Sequence, residues 1–304
     1  MNLNEARKDP WLFFETHSFK HLQQTLHPDR FTDPKEIKQA TLNFTELGVL
    51  HEKSKEPIPV LGSYQLVQVL GRGDLCDVYR SRCNKVIKIP YVESKAANKL
   101  LDNENGIVND LKNKAGGNTY SHYFPSPVDS IKLGKNKINV FDYKDVLSLK
   151  DVHNKIGDLD PRHIVWIFKR ILTALGFSHK SGWFHSAIIP EHILISPADH
   201  GVQICDWIHG SSLNAKIKVV PASYKGWYEK DTNASSGLDI YMAVKSMESV
   251  CSTLPNPIKA FFNGCKLKGN MRPTDAWELY DDFVEVSKRV YGSPRFVSLD
   301  VNDF

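Results

Sequence analysis

The sequence has no run of apolar residues long enough to cross a bilayer, so a membrane-spanning helix is not expected. It has no CxxC pair, and its five cysteines, Cys76, Cys83, Cys205, Cys251 and Cys265, are odd in number. A disulfide framework and a structural zinc are therefore not expected; reduced thiols are. It also lacks a basic block. The 39 Lys and Arg residues against 35 Asp and Glu leave a formal charge of +4 that is spread along the chain, so no nucleic-acid partner is expected. The tightest basic run, KLGKNKIN, reads as a hairpin turn, with Gly134, Lys135 and Asn136 between alternating apolar residues. The opening MNLNEARKDPW is polar and mixed in charge, unlike a signal peptide. The expected compartment is the cytoplasm, with no membrane partner. Internal repeats and low-complexity tails are absent from the pattern.

What is present is an ordinary globular mixture, 41% hydrophobic and 24% charged, over 304 residues. That length suits one large domain and one small one. Residues 1–56 read as helical. FKHLQQTL places Phe19, Leu22 and Leu26 at helical spacing. A second helix has Asp33 as its N-cap and Pro34 at its first position. It carries Ile37, Ala40, Leu42, Phe44, Leu47 and Leu50 as a broad apolar face. The two prolines of KEPIPV make 57–61 a linker.

The pattern then changes to strands. YQLVQVL, DVYRSR, KVIKIP, SPVDSIKLG and KINVFDY are short and rich in valine and isoleucine, with one helical stretch, SKAANKLLDNENGIVNDLKN, among them. From about Leu149 the chain reads as mostly helical. A long amphipathic helix ends at Gly182, and others cover roughly 237–252 and 274–290. Five strands followed by helices give an α+β arrangement. The tail at 293–304 offers Phe296 and Leu299 as apolar anchors, and either docks on the helical region or stays mobile.

Two constellations carry resemblances. The first is His27-Pro28-Asp29 in LHPDRF, between two helices, followed by QATLNFTEL on the second. It resembles the J domain, the helical hairpin that stimulates DnaK-type chaperone ATPases, over about the first fifty residues. The resemblance implies chaperone binding by His27, Pro28 and Asp29. One feature departs from it: the helix before the loop offers only Lys20 and His21 beside neutral Gln23 and Gln24, where the family is strongly basic.

The second resemblance, over most of 62–290, is to eukaryotic-type Ser/Thr protein kinases. GRGDLCDVY looks like the Gly-rich loop G-x-G-x-x-G-x-V, with Gly71, Gly73 and Val78 in place and Cys76 at the third glycine. Lys88 in VIKI matches the lysine for the α- and β-phosphates. Glu104 is its candidate helical partner and Glu93 the runner-up. His185 and Pro190-Glu191 match the ends of the catalytic loop H-R-D-L-x-x-x-N. Asp206, Trp207 and Ile208 stand at D-F-G. Glu229 matches the A-P-E glutamate, Asp239 the aspartate that holds the catalytic-loop backbone, and Arg272 the arginine that pairs with that glutamate. These eight motifs occur in family order. They imply a bilobal protein-kinase-like fold, with a β-rich N-lobe at 62–143 and an α-helical C-lobe at 144–292, after a small all-α J-domain-like hairpin.

The centre of the catalytic loop differs. Phosphoryl transfer in this fold uses an aspartate to accept the substrate proton, a lysine near the γ-phosphate and an asparagine on a second metal. Those positions hold Ala187, Ile189 and His192, and Ser186 replaces the arginine. Methyl and butyl groups neither take a proton nor offset phosphate charge. Ordinary catalysis is therefore not expected, while Lys88, Glu104 and Asp206 imply ATP with Mg or Mn. His192 is a second candidate metal ligand beside Asp206. Cys205 and His209 lie near it in sequence, but Cys205 neighbours Asp206 on a strand and should point away. The expected function is a pseudokinase adaptor that recruits a chaperone through the His-Pro-Asp loop and a protein client through the kinase-like lobe. Two alternatives remain. One is an atypical kinase or nucleotidyltransferase using Lys88 and Asp206 with a divalent metal. The other is a scaffold that binds no nucleotide.

Overall fold

The computed structural model describes residues 3–217, 219–229 and 232–301. Its contacts divide the chain into two compact units, Met1–Glu93 with Ile131–Tyr143, and Ser94–Ser130 with Lys144–Phe304.

The first unit opens with helices α1 (Asn4–Lys8), α2 (Pro10–Thr16), α3 (Phe19–Leu26) and α4 (Pro34–Lys55). Ser18 caps α3 by accepting from the His21 amide. Asp33 caps α4 by accepting from Lys35 and Glu36, with Pro34 at N1, where its missing N–H costs nothing. Leu3, Ala6, Phe13, Leu22, Leu26 and Leu47 form the helical core. Arg7 braces α1 against α4 with a two-pronged pair to Glu46, both contacts at 2.6 Å. The expected broad face of α4 is narrower than its spacing suggests. Ala40 and Leu47 are buried, but Leu42 is 56% exposed and Ile37 37%. The other helices are short, so they cover only one stripe of a 22-residue helix.

Six strands follow: β1 (Val60–Leu61), β2 (Tyr64–Arg72), β3 (Cys76–Ser81), β4 (Lys85–Pro90), β5 (Pro127–Leu133, of which 131–133 belong to this unit) and β6 (Asn136–Asp142). They form one sheet in the order β1-β2-β3-β4-β6-β5. Its core is Leu61, Leu66, Ile87, Ile138 and Val140. The sixth strand is a correction to the expected five. It arises where a linker was expected, because Val60 and Leu61 pair with Gln65 and Tyr64 across the turn at Gly62, whose φ of +58° suits glycine. The helices and the sheet are tied together inside this unit. Arg82 in the β3–β4 turn donates twice to Asp9, at 2.9 and 3.2 Å, and Asp9 is itself the N-cap of α2. The Trp11 indole donates to the Glu56 carbonyl at 2.7 Å.

The second unit contains α5 (Lys95–Ala115), α6 (Leu149–Ile156), α7 (Pro161–Lys180), α8 (Ser236–Ser249), α9 (Asn256–Cys265) and α10 (Ala276–Tyr291). Strands β7 (Leu147–Ser148), β8 (Ile193–Ser196) and β9 (Gly201–Ile204) make a small antiparallel sheet in that order. Helix α7 is the spine. Ile164, Ile167, Phe168, Ile171, Leu172 and Leu175 are fully buried along it. Gly176 lies against Trp277 of α10. A Cβ there would lie 2.5 Å from the Trp277 ring, so only glycine lets the indole lie against the helix.

Of the two expected anchors in the tail, Leu299 docks and Phe296 stays 65% exposed. Leu299 and Val301 are buried, and His200 stacks between Trp166 and Phe296 at 4.2 and 4.1 Å while its Nε2 meets the Val297 carbonyl. Residues 302–304 of the expected tail lie outside the described residues. Among the described residues no helix is long and apolar enough to cross a membrane, and no disulfide joins any of the five cysteines.

Candidate functional site

In the first unit, the Gly-rich segment is the turn between β2 and β3. Gly71 pairs with Val78, and Val78 pairs with Lys88 on β4. Gly73 donates to the Cys76 carbonyl at 2.9 Å, and the Tyr91 hydroxyl closes on the Gly73 carbonyl at 2.9 Å. Neither Gly71 nor Gly73 has a positive φ, so the backbone path would accept other residues there. The Cys76 side chain is buried at the start of β3. Lys88 lies beside Asn139 of β6. By strand alternation its side chain takes the face opposite Ile87, which belongs to the core.

At the turn between α3 and α4, Pro28–Arg30 form one 3-10 turn. The His27 ring accepts from the Asp29 amide at 3.3 Å and packs edge-on against Phe44. A shallow cavity of about 440 Å³ is lined by Gln23, Gln24, His27, Arg30 and Phe44.

In the second unit, α7 ends at Lys180, with the Ser181 amide bonded to the Phe177 carbonyl, and Gly182 turns the chain at φ +87°. The chain then folds around Asp239 of α8, which has no solvent exposure. Its carboxylate accepts from the amides of His185 at 2.8 Å and Ser186 at 2.7 Å, and faces His179 Nε2 at 2.9 Å. Ser186 is held at φ +62°, a costly conformation for a residue other than glycine. Asp239 fixes its amide, and the Tyr228 hydroxyl, donating at 2.6 Å, fixes its carbonyl. Burial, and then the charge of Asp239, push the Tyr228 hydroxyl pKa well up, so it stays a donor.

Downstream the loop turns inward. Ala187 and Ile188 have no exposure and Ile189 has 3%. Ser246 of α8 donates to the Ile188 carbonyl at 2.8 Å. His185 is fully buried beneath them. Its Nε2 donates to the Cys205 carbonyl at 2.9 Å and its Nδ1 accepts from the Ala187 amide at 3.3 Å, which assigns the neutral Nε2–H tautomer. Burial first, and the charge of His192 second, push its pKa down to about 4. Trp207 packs edge-on against that ring at 4.6 Å and donates to the Ile204 carbonyl at 2.9 Å.

The His185 shift predicts acid sensitivity. The folded chain keeps the ring neutral down to about pH 4, whereas the unfolded chain protonates it near its ordinary value of 6.5. Between those values the unfolded state binds more protons, so stability falls as pH falls, by about 3 kcal/mol in all. His163, also pushed down by burial, adds in the same direction. Urea midpoints measured from pH 7.5 to 4 are expected to drop along this slope, and His185→Gln should flatten but not abolish it. A wild-type midpoint that is level over that range would refute the assignment.

His192 faces Asp206. Its Nδ1 lies 2.8 Å from the Ala187 carbonyl and its Nε2 2.9 Å from Asp206 Oδ2. Asp206 has a left-handed backbone, φ +64°, which aspartate tolerates better than most residues. Asn103 of α5 donates to the Gly210 carbonyl at 2.7 Å, just past this turn, and Glu104, one residue on, is buried on the same helix. His209 offers no third donor to the pair: its ring stands 6.4 Å from His192, and its Nδ1 meets the Val219 carbonyl. Among the described residues no three His, Cys, Asp or Glu side chains converge as a metal site. The pair offers one imidazole and one carboxylate, short of the several oxygen ligands that the hard divalent cation implied by the resemblance needs.

Two outlying residues also come together. Arg272 Nη2 lies 3.6 Å from Glu229, bonds the Leu267 carbonyl at 2.7 Å through Nε, and sits over the Tyr241 ring. The two carboxylate oxygens of Glu191 share the single Tyr224 hydroxyl hydrogen, at 2.9 and 2.7 Å. The sequence motifs did not single out His179, Tyr224, Tyr228, Ser246 or Asn103. Each reaches its partner across 33 to 107 residues, and no local spacing signals such a bond.

No family model matches the chain. It is similar to a probable serine/threonine-protein kinase of Clostridium perfringens, at 30% identity over 141 residues, 45% of this chain and 20% of the relative. It is similar to casein kinase II subunit alpha′ of Saccharomyces cerevisiae, at 21% over 172 residues, 55% of this chain and 48% of the relative. It is also similar to serine/threonine-protein kinase PknD of Mycobacterium tuberculosis, at 26% over 151 residues, 47% and 22%. The chain thus spans less than half the length of each of these curated relatives. With the mixed α+β architecture, they support a kinase-like domain.

Proposed function

We propose that this chain is a kinase-like adaptor that has lost phosphoryl transfer and recruits a DnaK-type chaperone ATPase through its N-terminal helices. One observation carries the loss of transfer. Ala187 and Ile189 stand where a proton-accepting aspartate and a phosphate-facing lysine are needed, and both are sealed in the interior. The recruitment half is supported by the His27-Pro28-Asp29 turn, whose two polar side chains are exposed, at 47% and 87%. The kinase-like region would bind ATP through Gly71, Gly73, Val78 and Lys88, and would present a protein client.

The test of recruitment is the steady-state ATPase of a DnaK-type chaperone. The wild-type chain is expected to raise it several-fold. Asp29→Asn should return it to the basal rate, and Lys88→Met should leave the stimulation in place. Equal stimulation by wild type and Asp29→Asn would end the recruitment reading.

The kinase names of the relatives favour a second reading, an atypical kinase or nucleotidyltransferase. Label transfer from γ- or α-labelled ATP that disappears in Asp206→Ala would establish it. The expected result is no transfer above that variant. A thermal shift with ATP that is lost in Lys88→Met supports the nucleotide-binding adaptor. No shift in either protein leaves a scaffold.

A further inference from the structure

We infer that the outer face of α4 is a homodimer seam, on which the α4 of a second copy of this chain lies antiparallel. That face carries a pattern the single chain does not use. Ala40 and Leu47 are buried. Leu42 and Val49 stand two residues further on, about 200° round the helix, and are 56% and 64% exposed. Thr41 and Thr45 are exposed as well. Their hydroxyls are committed to carbonyls one turn back, Thr41 to Ile37 at 2.8 Å and Thr45 to Thr41 at 2.9 Å, which leaves their methyl groups to face outward. Gly48 adds a notch, since a Cβ there would meet nothing within 4 Å. These positions recur every seven residues: Lys38, Thr45 and Glu52; Thr41 and Gly48; Leu42 and Val49. A seven-residue spacing keeps a stripe on one side of a helix, as lying along another helix requires.

The charges select the occupant and its direction. Lys38 and Glu52 end the stripe with opposite signs, and each is seven residues from Thr45. Lys35 and Glu56 continue the same order outward, and all four side chains are exposed. A parallel second copy would set lysine against lysine and glutamate against glutamate. An antiparallel copy, with its two-fold axis at Thr45, sets Lys38 against Glu52 of the other chain and Lys35 against its Glu56. The symmetry makes each of these contacts twice. The same register brings Leu42 onto Val49 and the Thr41 methyl group onto the Gly48 notch. Apolar and charged positions therefore agree on one arrangement, and the stripe is complementary to itself. Glu52 is bonded to Lys55 of its own helix at 2.6 Å, but an exposed pair of this kind contributes little and leaves Glu52 free to be shared. The seam runs for about 21 Å from Lys38 to Glu52, short for an interface. The dimer is accordingly weak, with a Kd on the order of tens of micromolar. This inference stands apart from the chaperone and nucleotide readings.

The experiment is sedimentation equilibrium of the full chain from about 2 to about 200 µM at low salt. The wild-type mass is expected to rise from the monomer toward twice that value. Leu42→Lys combined with Val49→Lys should remain a monomer throughout. Glu52→Lys places like charges opposite each other twice, and should weaken the dimer about tenfold. Lys38→Glu combined with Glu52→Lys exchanges the two signs, and should restore the Kd to within about threefold of wild type. All these positions are exposed, so the variants should melt within about 2 °C of wild type. A wild-type chain that is monomeric at the highest concentration would overturn the proposal. So would a dimer that survives the two lysines at 42 and 49, which would place the contact elsewhere. Failure of the exchanged charges to recover what Glu52→Lys loses would overturn the antiparallel register.

Discussion

Replacing Asp239 by alanine is expected to cost about 4 kcal/mol of unfolding free energy and to release the backbone of residues 184–187. The carboxylate has no solvent exposure and three donors converge on it: the amides of His185 and Ser186 and the ring of His179. Alanine leaves the two buried amides and the His179 ring without their acceptor. Ser186 adds to the loss. Its left-handed backbone is tolerated only while both of its amide neighbours are clamped, and Asp239 is half of that clamp. Asp239→Asn keeps one oxygen but turns an NH₂ toward a donor, so an intermediate loss of about 2 kcal/mol is expected. Urea denaturation gives the free energies. Hydrogen exchange gives the locality: the His185 and Ser186 amides should lose protection before the buried middle of α7. A change below about 1 kcal/mol for the alanine variant would mean that the loop is held by something else.

The elements of the kinase-like region were readable because their periods differ so plainly: alternation in KVIKIP and KINVFDY, and a 3.6-residue spacing from Ile164 to Leu175. Asp33 and Pro34 marked the start of α4 for a local reason, since a cap acts on amides two and three residues away. What could not be read depends on distance. The α4 stripe looked broad because composition does not say how much partner surface exists, and Leu42 and Ile37 remain outside. Strand β1 hid behind two prolines, because a two-residue strand has no period to detect. At the site, Ala187, Ile189 and His192 could be read from the sequence as standing where the kinase resemblance has aspartate, lysine and asparagine. The approach of His192 Nε2 to Asp206 Oδ2 could not, since it depends on the ring orientation that the Ala187 carbonyl sets through Nδ1.

Restoring the missing groups should damage the protein and give no kinase. The double variant Ala187→Asp with Ile189→Lys is expected to lose about 5 kcal/mol and to transfer no phosphate. Ile189 is 3% exposed, so its replacement removes a buried aliphatic side chain and places an ammonium where water cannot reach it. Ala187 has no exposure at all, and a carboxylate there must be desolvated. Its backbone is already committed: the amide to His185 Nδ1, the carbonyl to the His192 ring. Ile188 between them is pinned by Ser246 through its carbonyl, so the segment cannot swing outward to solvate the new charges without breaking that bond too. In an active phosphotransferase the same two positions must meet the substrate hydroxyl and the γ-phosphate, which requires access. Here the apolar side chains of Ala187 and Ile189 are part of the core. Urea denaturation and label transfer from γ-labelled ATP, read on the same preparation, decide the matter. Near-wild-type stability with transfer that depends on Asp206 would show that the loop is an open active site lacking only two groups. A large loss of stability with no transfer would show that the interior of the loop is structural.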